Sequence, residues 1–383
     1  MTRPITSISD LRLLAKRRLP SAIFDYADRG SYDETTLGRN RRDLDALAFR
    51  QRVAVDVSKR NLATTLVGQP VSLPLAIAPT GLAGLYYRDG EIAGARAAHS
   101  AGIPFTLSTL SIASLEDVTQ AVEKPIWFQL YLMRNREFNE ELIARARTAR
   151  CPALVLTLDL QVQGLRRQDV KQGLTIPPRL TLRNALEMAG RPSWVWSVLL
   201  GKRRTFGNVA QRMTGTEGLA TLAQWIATEF DPSVTWRDVQ WVRDLWPGKL
   251  IVKGLLDPDD ARRACDSGAD AIVVSNHGGR QLDGAPSSIS ALPGVSAAVG
   301  ARCEVLFDGG VLSGQDVVKA LALGARGCLI GKAFLYALGA LGQRGVSMGL
   351  EIIRRELDVT MALCGQTDVR DMRRGILIEA PLG

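Results

Sequence analysis

The chain has 383 residues, 46% of them hydrophobic and 23% charged, and its mean hydropathy is close to zero, the balance of a globular protein with one large core or two modest ones. Its 48 Lys and Arg against 39 Asp and Glu give a net charge of +9, which suits anionic ligands or an anionic membrane surface. The basic residues are scattered, with no zinc-finger spacing and no RNP-like signature, so nucleic acid is not an expected partner.

In chain order, the opening MTRPITSISDLRLLAKRRLP has no apolar core of a signal peptide, and no later apolar run reaches the roughly 18 residues of a spanning helix. These features predict a cytoplasmic location. Residues 7–45 read as a polar helical lead-in, with a helix start at Pro20 and Tyr26 on it. From Pro74 onward, short apolar runs alternate with amphipathic stretches. The predicted strands are Leu75–Ala78, Ile103–Leu107, Ile126–Leu130, Ala153–Leu158, Leu250–Val252, Ala271–Val274, Val305–Phe307 and Cys328–Ile330. Helices are predicted near Gly90–Ser100, Ser114–Val122, Arg136–Arg147, Trp236–Leu245, Pro258–Ser267, Ser287–Val299, Gly314–Leu323 and Ala333–Leu341. Regular βα alternation demands a parallel sheet, and eight repeats close into a (β/α)8 barrel. An open doubly wound sheet would favour GxGxxG after the first strand, where this chain has Ala76-Ile77-Ala78-Pro79-Thr80-Gly81.

One interval breaks the rhythm. Residues 160–235 form an insertion after the fourth strand, far longer than the 2–6 residues typical of a βα loop. Within it RPSWVWSVLL, from Arg191 to Leu200, precedes Lys202-Arg203-Arg204. Aromatic and aliphatic residues beside a basic cluster fit a segment lying on an anionic bilayer, with 191–204 as the contact; a lid or an oligomer contact is the other reading. Residues 1–383 are read as a single domain around this insertion. Gly345–Gly365 reads as a final helix packed outside the barrel. The five Cys, at 151, 265, 303, 328 and 364, contain no CxxC and read as buried thiols, with no metal site.

In a barrel of this kind the working residues lie just past the strand C-termini. Such positions here hold Pro79-Thr80-Gly81, Ser108-Thr109, Gln129 with Tyr131, Thr157 with Asp159, Lys253, Ser275 with His277, Asp308-Gly309-Gly310 and Gly331-Lys332. Any one of these has a bland explanation; their recurrence strand after strand points to a site. The densest segment is DAIVVSNHGGRQLD, Asp270 to Asp283. Its paired glycines allow positive φ and close approach to a ligand. His277 offers a proton acceptor near neutral pH and Arg280 a fork for a carboxylate, a combination suited to chemistry on a small organic acid. His99, mid-helix among alanines, reads as packed.

SNHGGRQLD at Ser275–Asp283, with WFQLY at Trp127–Tyr131 and LDPDDA at Leu256–Ala261, resembles the FMN-dependent α-hydroxy-acid oxidase and dehydrogenase family across nearly the whole chain. The insertion and its FDPSVTW exit most resemble the bacterial membrane-associated lactate and mandelate dehydrogenases. The resemblance implies FMN as cofactor, His277 as base, Asp159 as its partner, and Arg280 and Tyr26 on the substrate carboxylate with Arg166 assisting. Tyr131 would bond the substrate hydroxyl and Lys253 would sit by flavin N1 and O2. Whether His277 takes the carbon proton or the hydroxyl proton stays open. FMN contacts carried over are Pro79, Thr80, Ser108, Gln129, Thr157, Ser275, Gly278, Asp308, Gly309, Gly310, Gly331 and Lys332. The expected reaction is oxidation of an L-2-hydroxy acid, lactate first, to the 2-oxo acid, with a quinone or O2 as acceptor, in a homo-oligomer that the family suggests is a tetramer. An O2-using oxidase and a catalytically silent scaffold barrel are the rivals.

Four departures from the resemblance stand out. Leu312 and Lys332 occupy positions where the family usually has Arg, so one phosphate fork is lost and another becomes a point charge. Weaker FMN binding than is usual for the family is therefore expected. Arg29 stands where relatives often have Gly. Leu110 stands where some have Trp, and with Gln163 near the mouth this implies room for a side chain larger than glycolate's.

Overall fold

Three helices precede the first sheet: α1 (Ile8–Arg18), α2 (Ser21–Asp28) and α3 (Thr35–Ala46). In this computed structural model the described residues are 4–122, 124–171, 187–201, 206–209 and 228–379. Three short strands follow, β1 (Leu47–Phe49) and the hairpin of β2 (Thr64–Leu66) and β3 (Gln69–Val71), before the barrel begins at β4 (Leu75–Ile77). The chain then alternates through α4 (Gly90–Ser100), β5 (Thr106–Ser108), α5 (Leu115–Ala121), β6 (Trp127–Leu130), α6 (Arg136–Thr148) and β7 (Ala153–Thr157). The insertion contributes α7 (Arg167–Lys171) and α8 (Pro192–Leu199) among its described residues, and α9 (Trp236–Leu245) leads out of it. Next come β8 (Lys249–Leu255), α10 (Pro258–Asp266), β9 (Ala271–Val274), α11 (Ser288–Val299), β10 (Glu304–Phe307), α12 (Gly314–Ala322), β11 (Gly327–Ile330), α13 (Lys332–Leu363) and β12 (Leu377–Glu379).

The barrel helices start where short polar side chains satisfy their free N–H groups. Ser114 and Asp117 form a capping box on α5, Asn135 caps α6, and Asp257 caps α10 with Pro258 at its first position. Eight parallel strands run in the order β4-β11-β10-β9-β8-β7-β6-β5. A parallel bridge between Ile77 and Phe105, with Ile77 N–H donating to the Pro104 carbonyl at 2.9 Å, brings the two ends of that sheet together. The result is the expected (β/α)8 barrel.

Its interior is filled by Ala76, Trp127, Ala153, Val155, Ile251, Ala271, Val273, Leu306 and Leu329, a buried cluster that also takes in Leu66, Val67 and Val71 of the β2–β3 hairpin. The hairpin is tied there by Trp127 Nε1 donating to Gln69 at 3.0 Å and Val67 N–H donating to Glu304 at 2.9 Å. A larger apolar layer joins the outward strand faces to the helices.

Three expected boundaries shift for identifiable reasons. The second barrel strand is Thr106–Ser108 rather than Ile103–Leu107, because Pro104 has no N–H for the ladder and the pairing instead extends to Ser108. The fifth runs Lys249–Leu255, with a bulge between Lys253 and Leu255. The two predicted C-terminal helices are one helix, α13, broken at Leu341 and Gly342 and packed against α1, α4 and α12.

In the insertion, α8 docks on the barrel through Trp194 Nε1, which donates to the Leu85 carbonyl at 2.8 Å, and through Ser197, which accepts from Arg88 N–H at 3.2 Å. Trp196 and Leu200 on the same segment are 63% and 61% exposed. The Lys202-Arg203-Arg204 cluster lies outside the described residues. Among described residues no helix is long and apolar enough to cross a membrane, and no group of three or more potential metal ligands occurs.

Candidate active site

The C-terminal ends of the strands open into a cavity of about 870 Å³, roofed by the N-terminal helices. His277 leaves β9 with φ 58°, a left-handed conformation uncommon for a residue with a side chain. Two contacts hold it there: its N–H donates to Ser275 Oγ at 3.1 Å, and its Nδ1 lies 2.8 Å from Asp159 Oδ1. With Nδ1 engaged by a carboxylate, the neutral ring carries its proton on Nδ1 and leaves Nε2 as the acceptor. His277 lines the cavity. Burial pushes the Asp159 carboxyl up, but the His277 ring and the Lys253 ammonium outweigh it and hold it below its ordinary value. Asp159 is therefore the anionic partner of the pair.

The bulge in β8 makes room for that carboxylate. Gly254 has φ 102°, and a Cβ there would stand 2.6 Å from Asp159 Cγ. Reading the sequence for polar strand ends passed over Gly254, because its role is to be absent as a side chain. Gln281 secures the next stretch: its Nε2 donates to the Asp159 carbonyl at 2.6 Å and the Val162 carbonyl at 3.0 Å, and its Oε1 accepts from Gly164 N–H at 3.2 Å.

Arg280 also lines the cavity, its guanidinium 4.6 Å from the Tyr26 ring centroid and donating to the backbone carbonyls of Tyr26 and, at 3.2 Å, Arg29. Arg166 and Tyr26 share this wall. Desolvation, then the Arg280 charge, pull the Arg166 guanidinium below its ordinary value. Two partly desolvated cations on one wall are relieved by a bound carboxylate. Tyr131 stands edge-on to Phe230, ring centroids 5.4 Å apart, and burial first, then Asp159, drive its phenol well above its ordinary value. It is thus a neutral hydroxyl. Leu110, Leu160, Phe206 and Phe230 supply the apolar wall. The two Phe come from within the insertion, away from any strand end.

The paired glycines part company. Gly278 lines the cavity, whereas a Cβ on Gly279 would strike the Leu37 backbone of α3 at 2.6 Å. Only one of the two approaches a ligand; the other lets the His277 loop seat on α3. Reciprocal amide bonds between Asn40 and Asn276, 2.9 and 2.7 Å, lock that seat.

Of the residues expected around a flavin, Pro79, Thr80, Ser108, Thr157, Lys253, Gly278, Asp308, Gly309, Gly310, Gly331 and Lys332 line the cavity. Gln129 and Ser275 are fully buried beside that lining, Gln129 accepting from Ser108 Oγ at 3.0 Å and Ser275 from Lys253 Nζ at 2.7 Å. Lys253 also pairs with Asp308 at 2.7 Å. Gln129 Nε2, Thr157 Oγ1 and Asp308 Oδ1 are buried without a protein partner, three polar atoms grouped at strand ends. Gly309 and Gly310 at φ 106° and 94° turn the backbone beneath the far end. A planar, polar-edged ring with a phosphate tail fits this lining, and FMN is such a molecule. Lys332 bonds the carbonyls at the end of α2, including Asp28 at 3.3 Å and Arg29 at 3.2 Å, and burial, then Arg280, draw it down to about 7.

The profile of the FMN-dependent dehydrogenase family matches residues 15–379, and the chain belongs to that family. It is similar to the L-lactate dehydrogenase of Caulobacter sp. (strain K31), 50% identical over 374 residues that cover 97% of this chain and 98% of that one. The L-lactate dehydrogenase of Acinetobacter baylyi is 45% identical over 376 residues, 98% of each chain. Among solved structures, the monotopic membrane protein (S)-mandelate dehydrogenase superposes with a TM-score of 0.93 at 38% identity, covering 98% of this chain and 100% of the other. A mandelate oxidase does so at 0.82 and 37%, covering 98% of each.

Proposed function

We propose that this FMN-dependent hydroxy-acid dehydrogenase oxidises an L-2-hydroxy acid of lactate size to the 2-oxo acid, with residues 1–383 as one catalytic unit and 160–235 as an insertion in it. The observation that carries the reading is the His277–Asp159 contact of 2.8 Å beside a cavity that Arg280, Arg166 and Tyr26 also line. FMN supplies the two-electron oxidant. Arg280 and Tyr26 hold the substrate carboxylate, with Arg166 as the second cation, and this fixes the α-carbon relative to His277. Tyr131 hydrogen-bonds the substrate hydroxyl. His277 Nε2 accepts a proton from the bound acid. Asp159 then faces an imidazolium instead of a neutral ring, which stabilises the protonated base. Lys253, which lines the cavity, would supply a positive charge beside a bound flavin. The flavin is held by the strand-end residues given above, and Lys332 serves its phosphate end.

Lactate rather than mandelate is favoured by the roughly 50% identity to an L-lactate dehydrogenase. The electron acceptor is a membrane quinone, reached with α8 resting on the lipid surface and the chain assembled as a homo-oligomer. Exposed Trp196 and Leu200 support the membrane contact, as does the likeness to a monotopic membrane protein. Turnover with L-lactate under air should reduce a quinone analogue and release little hydrogen peroxide. Stoichiometric peroxide would make the protein an O2-using oxidase instead.

A further inference from the structure

The far end of the cavity, below Gly309 and Gly310, is where a flavin phosphate belongs, and the loop leaving β10 brings no cation to it, because the next position that could is Leu312. The start of α3 closes this end: Leu37, Gly38 and Arg41 on the helix, and Glu34 just before it, line the cavity. Arg12, Arg29, Arg41 and Lys332 are four of the cationic side chains in the lining. Arg12 bonds Asp28 at 2.6 and 2.7 Å. Arg29 leans on Glu34 at 3.4 Å and Asp25 at 3.9 Å. Lys332 caps α2. Arg41 alone of the four donates into the Gly309–Gly310 turn, its Nη1 bonding the Gly310 carbonyl at 2.6 Å and Asp316 at 2.8 Å, while Nη2 bonds Asp45 at 2.5 Å. Asp316, itself buried, also accepts from Leu312 N–H at 2.9 Å.

We propose that Arg41, reaching in from α3 outside the barrel, is a phosphate-binding residue of the cofactor site and supplies the guanidinium that position 312 lacks. Its three bonds use three of five N–H donors, leaving Nε–H and one Nη2–H for a phosphate oxygen. Its bonds to Gly310 and Asp316 hold the fork at the turn before any ligand arrives, so little side-chain entropy is lost on binding. Glu34, the acid just before α3, is turned to Gly30 N–H at 3.0 Å and to Arg29, which removes it as a repulsive neighbour. This inference rests on FMN as the occupant of the cavity.

The test compares FMN with riboflavin, which carries the same ring and no phosphate. Flavin-free full-length protein is titrated with each by fluorescence quenching, for wild type, Arg41→Ala, Arg41→Lys and the double variant Arg41→Ala with Leu312→Arg. Arg41→Ala should weaken FMN binding about 10- to 100-fold, the loss expected of a charge-assisted pair, and leave riboflavin unchanged. Arg41→Lys should fall between, and Leu312→Arg should recover most of the loss. An equal weakening of both flavins would make Arg41 a strut between α3 and the β10–α12 loop and overturn the proposal, as would an unchanged FMN affinity. Wild type that fails to prefer FMN over riboflavin would sink both this inference and the cofactor assignment on which it rests.

Discussion

His277 and Asp159 are 118 positions apart in the chain and meet at 2.8 Å because two local backbone irregularities cooperate. The left-handed His277 backbone aims the ring at β7, and the Gly254 bulge leaves space for the carboxylate. The left-handed backbone at His277 costs on the order of 1–3 kcal/mol, which its bonds to Ser275 and Asp159 offset, whereas glycine at 254 takes positive φ without that cost. Lys332 is the residue whose charge is most sensitive to conditions. Its ammonium faces Arg280 and Arg166, which disfavour it, and Asp28 and Glu34, which favour it, and with burial the balance brings it to about 7. A bound phosphate adds negative charge, so Lys332 is protonated more firmly in the complex than in the free protein. Between pH 7 and 9, FMN binding must then take up a proton, and affinity falls as pH rises, by up to about tenfold per unit. Lys332→Arg, charged throughout that window, should bind FMN with a flat profile. Titration of the flavin-free protein across pH 7–9 checks this; a wild-type curve as flat as the variant's would show that Lys332 does not serve the phosphate.

At the scale of elements, α3 and α8 matter most, and both lie outside the βα repeat. Because α3 carries Asn40, Leu37 and Arg41 against the His277 loop and the Gly309–Gly310 turn, the N-terminal lead-in is part of the site's wall. The alternation of apolar runs made the eight strands legible, and polar residues at their ends made most of the site legible with them: Asp159, Lys253, His277 and Asp308 all lie at the barrel mouth. What escaped was of another physical kind. Gly254 acts through missing volume, Phe206 and Phe230 sit on a segment with no period, and Asn40 and Arg41 act across 236 and 269 positions through contacts that no local pattern encodes. For α8, the proposed lipid contact depends on Trp196 and Leu200, whereas Trp194 anchors the helix to Leu85. Replacing both exposed residues by Glu should move the protein from the membrane pellet to the supernatant with FMN content unchanged. Burying each such side chain is worth about 1.5–3 kcal/mol, so their joint loss corresponds to a partition shift of roughly 100-fold or more. Unaltered fractionation of the double variant would remove α8 from the membrane contact.

For the whole molecule, the barrel fixes strand ends at one rim, the lead-in closes that rim, and the insertion adds Leu160, Phe206 and Phe230 to the apolar lining. Arg280, Arg166 and Tyr26, proposed as the carboxylate clamp, and His277, the proposed base, line one cavity of about 870 Å³. The net charge of +9 suits the anionic substrate proposed for that rim and the proposed contact with an anionic bilayer. The proposed reaction depends on His277 acting as base on a substrate whose carboxylate Arg280 and Tyr26 hold. The direct measurement is anaerobic stopped-flow reduction of the bound flavin by L-lactate, in wild type, His277→Gln and Asp159→Asn. Wild type should bleach fully; both variants should retain FMN and bind lactate, yet reduce it at least about 100-fold more slowly, the contribution expected of a positioned base. Flavin-loaded wild type that no L-2-hydroxy acid bleaches, or a His277→Gln protein that reduces at the wild-type rate, would contradict the account.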